Sequence, residues 1–180
     1  YRVDQRHGFN GSTATFEAVS TSDGTRVAIV GIDASMLQSS AIWDKVEQYL
    51  DTLAKAELHN RVARPVSWGL DAGVYWVAYE WLTGSHLGGI VQAEGLPLIA
   101  RSFEIAAQVV EGLEILTGLD IPHLCISPAS IFICQDGSVR ILHAGWSHML
   151  LHCVDGPAHP NLMSNLPFLA PEVAGMKSGQ

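Results

Sequence analysis

The chain is poor in charge, in lysine and in cysteine. Its 180 residues carry 10 basic side chains against 18 acidic ones, for a formal net charge of −8. Nucleic acids and anionic membranes bind basic surfaces, so we expect neither as a partner. Three cysteines without regular spacing do not form a disulfide framework. Their number favours a reducing compartment, and we predict a cytoplasmic location.

Long apolar runs, a signal peptide, internal repeats and low-complexity linkers are also missing. No segment is apolar for long enough to cross a bilayer, so we expect no membrane insertion by this segment, although the parent protein could be anchored elsewhere. Hydrophobic residues make up 48% of the chain and charged residues 16%. This composition favours a compact fold of one or at most two domains.

Alternating apolar and polar residues predict a β-rich beginning, from Tyr1 to Ile32. Glycine-containing turns separate the predicted strands, as in a meander of antiparallel hairpins. The strands are predicted at 13–19, 25–30, 65–69 and 74–79, with turns at 7–12, 22–24 and 71–73.

Two segments have helical periodicity. The first runs from Met36 to Leu58 with Ser39 or Ser40 as its cap, and its apolar stripe consists of Ile42, Val46, Tyr49, Leu50 and Leu53. The second runs from Leu98 to Leu116 between Pro97 and a C-capping Gly118, and its stripe is predicted as Phe103, Ala106, Val110 and Leu113. The histidine- and proline-rich segment 148–167 is predicted to be a loop.

The segment from His123 to Gly145 organises the rest of the prediction. It contains a loop, a β-hairpin that turns at Asp136-Gly137, and a second loop. Both loops leave the hairpin on the same side, which is the arrangement that a two-part active site requires.

This segment resembles the catalytic loop and the metal-binding loop of a protein kinase, which read His-Arg-Asp-x-Lys-Pro-x-Asn and Asp-Phe-Gly. The spacing and the histidine, proline and glycine of these motifs are kept, but the reactive side chains are replaced. Cys125 stands at the position of the catalytic aspartate, Ser127 at the lysine and Ser130 at the metal-binding asparagine. His143-Ala144 stands where the family has Asp-Phe.

Other matches follow in the family's order. Gly8 is kept in the position of the glycine-rich loop, while Asn10 and Thr13 replace its second and third glycines. Val30 stands where the family has the lysine that binds phosphates, and Leu50 where it has the glutamate paired with that lysine. Arg26 lies on the same strand face as Val30 but too far along it to substitute. Segments 80–87 and 170–172 match the hinge and the Ala-Pro-Glu motif.

The resemblance implies an α+β fold of the protein-kinase type, similar to the bacterial-type Ser/Thr kinases. Residues 1–80 would form the small antiparallel β lobe with one helix, and residues 81–180 part of a mainly helical large lobe. The later helices of that lobe are absent from this sequence, which indicates a fragment of a longer protein or a reduced lobe.

The substitutions imply a pseudokinase, that is, a catalytically inactive domain that serves as a scaffold or an allosteric regulator in signalling. Its partner would be a protein, such as an active kinase or another domain of the same chain. The alternative is a residual ATP-binding Ser/Thr kinase or an unusual nucleotide transferase. We predict no catalytic residue, with degenerate positions at Cys125, Ser127, Ser130, His143, Val30 and Leu50.

We also predict no cofactor, with metal-free ATP as the alternative. The resemblance places a vestigial nucleotide pocket at Gly8, Thr15, Ala28, Tyr79, Glu80, Leu82 and Phe132. Tyr79 and Phe132 are bulky enough to fill such a pocket themselves.

A thiol and imidazoles across the former catalytic cleft raise the alternative of a zinc or copper site. Cys125 and His143 would face one another with His123 close by, and His148, His152 and Cys153 would be further ligands. The opposite interpretation is that these residues pack in the core, with Cys125 as an inert apolar side chain. No compact ligand spacing supports a site, so we predict no metal.

Overall fold

The computed structural model describes residues 1–10, 13–152 and 166–169. The segment that matches the Ala-Pro-Glu motif, at 170–172, lies outside these residues, as do Cys153 and most of the predicted loop at 148–167. Among the residues described, no helix combines the length and the apolar character needed to cross a membrane.

The first lobe is built on a five-stranded antiparallel sheet with the strand order β1-β2-β3-β5-β4. Successive side chains of each strand point to opposite faces of this sheet, so every second one faces the interior, as the sequence predicts. The strands are β1 (Arg2–Asn10), β2 (Thr13–Val19), β3 (Arg26–Asp33), β4 (Pro65–Asp71) and β5 (Val74–Glu80). The turn predicted at 7–12 is placed too early, because residues 7–10 continue β1 and pair with β2.

Helix α1 (Ser40–Lys55) packs on this sheet and is shorter than the predicted 36–58. The side chain of Ser39 accepts a hydrogen bond from the Ala41 amide at 3.2 Å, which confirms the predicted cap. At the other end, the Arg64 guanidinium donates to the Ala54 and Ala56 carbonyls at 2.7 and 3.0 Å. Because both helix ends are satisfied by side chains, the position of α1 on the sheet is fixed at each terminus.

The second lobe contains two helices, a small sheet and a short helix. The three-stranded sheet has the order β6-β7-β8, and the Asp136-Gly137 turn of its hairpin is where the sequence predicts it. The elements are β6 (Gly84–His86), α2 (Leu87–Glu94), α3 (Ile99–Gly118), β7 (Ile131–Cys134), β8 (Val139–Ile141) and α4 (Ser147–Leu151), with 3₁₀ turns at Ala34–Met36 and Leu166–Phe168. Helix α4 corrects the prediction of a loop beginning at His148.

The buried face of α3 differs from the predicted one. Phe103 is 73% exposed and Val110 52% exposed, whereas the buried residues are Ile105, Val109, Gly112 and Leu116. Both sets have helical spacing, so periodicity alone does not decide between them. The helix also continues through Gly118, and Leu119 occupies the C-cap position.

Helix α1 connects the cores of the two lobes. Val46 and Leu50 belong to the apolar cluster under the five-stranded sheet. Tyr49 and Leu53, on an adjacent side of the helix, belong to the cluster that α3 and the β7-β8 hairpin form. The helix therefore brings the end of the sheet and the hairpin loops to one cleft.

Candidate functional site

A cleft of about 460 Å³ lies between the five-stranded sheet and the β6-β7-β8 sheet. Side chains of β2 and β3 form one wall, the segment after β5 forms the back, and β6, β7 and the loop after β8 form the opposite wall. Its lining residues are Thr15, Phe16, Ala28, Val30, Ala63, Tyr79, Glu80, Trp81, Leu82, Gly84, Ser85, His86, Gly89, Phe132, Leu142 and His143.

Six residues of the predicted nucleotide pocket come together in this cleft. They are Thr15, Ala28, Tyr79, Glu80, Leu82 and Phe132. Gly8 is the register partner of Thr15 in the β1-β2 ladder. Tyr79 and Phe132 do not fill the space, because the cleft between them remains open.

Val30 lies at the inner end of the cleft and turns to the core. It is 2% exposed, and it shares an apolar cluster with Leu50 of α1, which is fully buried. Hydrophobic packing therefore occupies the place where the resemblance has a lysine and a glutamate. A single charge introduced at either position would be buried without a partner, which is costly.

Arg26 does not supply the missing cation. Its guanidinium pairs with the Glu17 carboxylate and lies over the Trp81 ring, 4.5 Å from the ring centroid. These contacts hold Arg26 on the exposed side of the sheet. Among the described residues that line the cleft there is neither lysine nor arginine.

The back of the cleft is fixed by two hydrogen bonds. The Tyr79 hydroxyl donates to the Ala144 carbonyl at 3.2 Å, so β5 is joined to the loop after the hairpin. A carboxylate oxygen of Glu80 accepts from the Arg64 amide at 2.9 Å and lies 3.9 Å from an Arg140 nitrogen. The Glu80 charge is thus directed at groups behind the cleft.

His86 and Phe132 form the front of the lower wall. They are register partners in the β6-β7 ladder, and their rings meet edge to face at 5.3 Å between centroids. His86 Nδ1 lies 2.7 Å from the Ala129 carbonyl oxygen. Burial lowers the pKa of His86, while the Ala129 bond acts in the opposite direction. Its imidazole is therefore neutral at pH 7.

The loop that corresponds to the catalytic loop is buried, and its histidine contacts the backbone that follows β8. His123 Nε2 lies 2.8 Å from the Leu142 carbonyl oxygen, and burial lowers the pKa of this histidine. Cys125 is also buried, which raises the pKa of its thiol to about 11. A thiol with that pKa is protonated at neutral pH, so Cys125 is neither a base nor a ready nucleophile.

Ser127 and Ser130 close the same loop. The Ser130 hydroxyl accepts from the Ser127 amide at 2.9 Å and lies 3.0 Å from the Ser127 carbonyl oxygen, to which it can donate. Both residues are buried. The hydroxyl that stands at the metal-ligand position is therefore engaged in holding the loop.

His143 lies at the junction of the cleft and the core, with a positive φ of 62°. Burial lowers its pKa to about 3, with smaller contributions from the charges that His86 and His123 would carry. Its ring lies edge to face with Tyr79 at 6.3 Å between centroids. A neutral imidazole in this position offers one donor and one acceptor.

The proposed metal ligands do not form a cluster in the part of the chain that the structure describes. Within residues 1–10, 13–152 and 166–169, no group of three or more histidine, cysteine or acidic side chains is arranged to hold an ion. His148 of α4 and its C-cap residue His152 lie next to each other, with ring centroids 4.5 Å apart. Cys153 lies outside the described residues.

The segment from Ala144 to Met149 packs into the cores of both lobes. Ala144 is buried in the second-lobe cluster, while Trp146 and Met149 are buried in the first-lobe cluster beside α1. A Cβ on Gly145 would lie 3.3 Å from the Tyr49 Cβ, so this glycine permits the close approach of the loop to α1. The junction between the lobes is therefore closely packed around this loop.

Several lining residues are not among those predicted for the nucleotide pocket. Phe16, Trp81 and His86 are the largest of them, and the last two lie in the segment matched to the hinge. His86 reaches the cleft because β6 pairs with β7, which is a contact between residues far apart in sequence. No local pattern signals a three-residue strand, so periodicity could not have found it.

No protein-family model matches the chain. Among curated proteins it is similar to human receptor-interacting serine/threonine-protein kinase 1, with 26% identity over 126 residues, which is 63% of this chain and 19% of that protein. The chain therefore spans about a fifth of the length of this relative.

Two sets of solved structures share its fold. The structure of Rad53 in complex with AMP-PNP has a TM-score of 0.65 and 25% identity, and the match covers 78% of this chain and 36% of that one. Two structures of the Mycobacterium tuberculosis PknI kinase domain have TM-scores of 0.71 and 0.70 with 12% identity. These matches cover 80% and 79% of this chain and 58% and 57% of the solved chains.

Proposed function

We propose that this chain, which has the protein-kinase-like fold, is a catalytically inactive domain that acts by binding another protein. It would serve as a scaffold or as an allosteric regulator. Its partner would be an active kinase or a further domain of the same natural chain.

The burial of Val30 and Leu50 in one apolar cluster is the observation that supports this proposal best. Phosphoryl transfer depends on positioning the phosphates and neutralising their charge with lysine and metal ions. Here a buried apolar cluster replaces the lysine and its glutamate partner. Removing charged groups while keeping the packing preserves a shape without the reaction.

The other replaced groups point in the same direction. Mg²⁺ prefers hard oxygen ligands such as carboxylates. At the two corresponding positions the structure has a neutral imidazole, His143, and a hydroxyl engaged in its own loop, Ser130. A buried thiol, Cys125, stands where a carboxylate would orient the substrate hydroxyl. Because such groups act together, their joint loss removes many powers of ten in rate.

The exposed side of α3 supports a role in binding. Phe103 and Val110 lie on it, and Leu98 and Ile99 extend it toward the helix start with 82% and 78% exposure. Contiguous apolar surface of this kind marks a contact with another protein or domain more often than a solvated face.

A radiometric transfer assay tests the inactivity. Purified chain is incubated with γ-labelled ATP and Mg²⁺ or Mn²⁺, alone and with generic protein substrates. We expect no incorporation above that of a variant with a blocked cleft, Ala28→Phe. Transfer that this variant or Cys125→Ala abolishes would show that the chain is an active transferase and would overturn the proposal.

Site-specific photocross-linking tests the binding role. A photoreactive residue at position 103 in the longest natural chain that contains this segment should capture a protein or a second domain, and one at the exposed position 66 should not. The captured protein is then purified and its kinase activity measured with and without this chain. Phe103→Glu should weaken the complex at least about tenfold, and Val66→Glu, which places the same charge at an exposed position of β4, should not. Equal weakening by both variants would contradict a role for this face.

The alternative function is that of a residual ATP-binding kinase. The open cleft of about 460 Å³ favours this alternative, since a ligand of drug size fits such a volume. The absence of lysine and arginine among its described lining residues argues against it. The transfer assay above separates the two functions.

A further inference from the structure

The cleft between the lobes has the size and lining of a small-molecule site but not the charge of a nucleotide site. Its volume of about 460 Å³ falls within the range of about 300–1,000 Å³ that is typical of ligand pockets. Aromatic side chains, Phe16, Trp81 and Phe132, line it from three elements. These planar surfaces suit a flat aromatic ligand.

The charges near the cleft disfavour phosphate. Glu80 is a lining carboxylate, and neither lysine nor arginine is found among the described lining residues. The two imidazoles, His86 and His143, are neutral at pH 7 because burial lowers the pKa of each. A triphosphate placed here would find no lysine or arginine among the described lining residues to neutralise its charge.

His86 supplies a directed hydrogen-bond acceptor. A carbonyl oxygen can only accept, so the 2.7 Å contact with Ala129 requires that His86 Nδ1 carries the hydrogen. In the neutral ring the other nitrogen, Nε2, is then an acceptor. Because the His86 ring lines the cleft, a ligand with an N–H or O–H group can bond to it.

We propose that this cleft binds a small uncharged aromatic ligand that donates a hydrogen bond to His86, and that it rejects ligands carrying phosphate groups. This inference assigns a ligand class to the cleft and does not depend on the proposed protein partner. Ligand binding in the cleft and binding of a protein partner are separate properties, and each can be present without the other.

A matched pair of ligands tests the rejection of phosphate. Adenosine and ATP share the same aromatic base and differ in charge. Binding of each, with ATP used without metal, is followed by ligand-observed NMR and by the fluorescence of the protein's tryptophans. We expect adenosine to bind at least about tenfold more tightly than ATP. Equal or tighter binding of ATP overturns the proposal.

A second pair tests the hydrogen bond to His86. 7-Azaindole has a ring N–H, which its N-methyl derivative lacks. We expect the wild-type protein to prefer 7-azaindole about tenfold, and His86→Phe to bind both compounds equally. A preference that persists in His86→Phe contradicts the assignment of the acceptor. Absence of binding by adenosine and by both azaindoles at about 1 mM overturns the proposal as a whole.

Two variants locate the binding. Ala28→Phe fills the cleft from the β3 side and should abolish binding, while Ala107→Phe places the same group on the exposed side of α3 and should leave binding unchanged. Equal loss in both variants, or in neither, contradicts a site in the cleft. If Ala28→Phe does not fold, the NMR signal of the Trp81 indole N–H in the wild-type protein replaces it. That signal should shift on addition of adenosine, and an unchanged signal with bound adenosine contradicts the site.

Discussion

The Tyr79 hydroxyl and the Ala144 carbonyl join the two lobes through a buried hydrogen bond of 3.2 Å. Tyr79 is the penultimate residue of β5 in the first lobe, and Ala144 lies in the loop that follows the hairpin of the second. The two residues are 65 positions apart in sequence. The bond therefore fixes how the loop sits against the sheet at the back of the cleft.

Removing this hydroxyl should destabilise the protein. In Tyr79→Phe the Ala144 carbonyl loses its partner in a buried site, which typically costs about 1–3 kcal/mol. The free energy of unfolding, measured by urea denaturation, should fall by this amount. Tyr1→Phe is the matched control, because the Tyr1 hydroxyl bonds to Ser67 at an exposed site and its loss should change stability by less than about 0.5 kcal/mol. Equal effects of the two variants would show that the Tyr79 bond has no special role.

Acid should destabilise the protein through His143. Burial lowers its folded-state pKa from 6.5 to about 3, so the unfolded chain takes up the proton first as pH falls. The stabilisation is complete above about pH 6.5 and is lost progressively below it. Between pH 7 and pH 5 we expect a loss of about 1–2 kcal/mol in the free energy of unfolding from this group.

The variant His143→Asn tests the assignment. Asparagine tolerates the positive φ of this position and does not titrate, so the slope of stability against pH should decrease. His59→Asn is the control, since His59 also has a positive φ but is exposed. A slope that is unchanged in His143→Asn would place the acid sensitivity elsewhere, for example at His148, whose pKa burial lowers to about 4.

Much of the first lobe follows from local sequence patterns. Alternating residues, the turns at 22–24 and 71–73 and the cap at Ser39 are short-range signals, and the structure has all of them. The choice between two apolar stripes on α3 is different. It depends on which side the β7-β8 hairpin packs against, and that is a contact between distant residues that periodicity does not contain.

The residues of the candidate site also fall into two groups, those that a sequence motif identifies and those that only long-range contacts bring to the cleft. Residues that a motif names, such as Ala28 and Glu80, line the cleft as expected from the resemblance. Trp81 and His86 lie in segment 80–87, which the resemblance matches to the hinge without naming either as a pocket residue. His86 reaches the cleft through the β6-β7 pairing, which joins residues far apart in sequence. Helix α4 was missed because five residues without a side-chain cap carry no periodic signal.

A glycine on the buried face of α3 should be essential for packing. A Cβ on Gly112 would lie 2.7 Å from Ile141 Cδ1 and 3.2 Å from the Arg61 carbonyl oxygen. Gly112→Ala should therefore destabilise the protein by about 1–3 kcal/mol, although alanine favours a helix. Gly118→Ala, at a position on the same helix with nothing within 4 Å, should leave stability unchanged or raise it by up to about 1 kcal/mol. Thermal unfolding of the two variants measures the contrast, and a stabilised Gly112→Ala would mean that Ile141 moves aside at little cost.

The last prediction concerns Ser130, whose hydroxyl holds its own loop and which we predict does not bind a metal ion. Ser130→Ala removes the acceptor of the Ser127 amide, a buried bond of 2.9 Å, and should lower the free energy of unfolding by about 1–3 kcal/mol. Ser138→Ala removes a hydroxyl that bonds to Asp136 in an exposed turn, and should cost less than about 1 kcal/mol.

Addition of Mg²⁺ distinguishes this role from that of a metal ligand. If the Ser130 hydroxyl only closes the loop, Mg²⁺ should leave the unfolding midpoints of the wild-type protein and of Ser130→Ala unchanged. A ligand that binds the folded state raises its stability by mass action, so a metal site would appear as a midpoint that rises with Mg²⁺ concentration. A rise in the wild-type protein that Ser130→Ala abolishes would show that the hydroxyl binds the ion. It would contradict the prediction and support a metal-binding role for this loop, as in an active kinase.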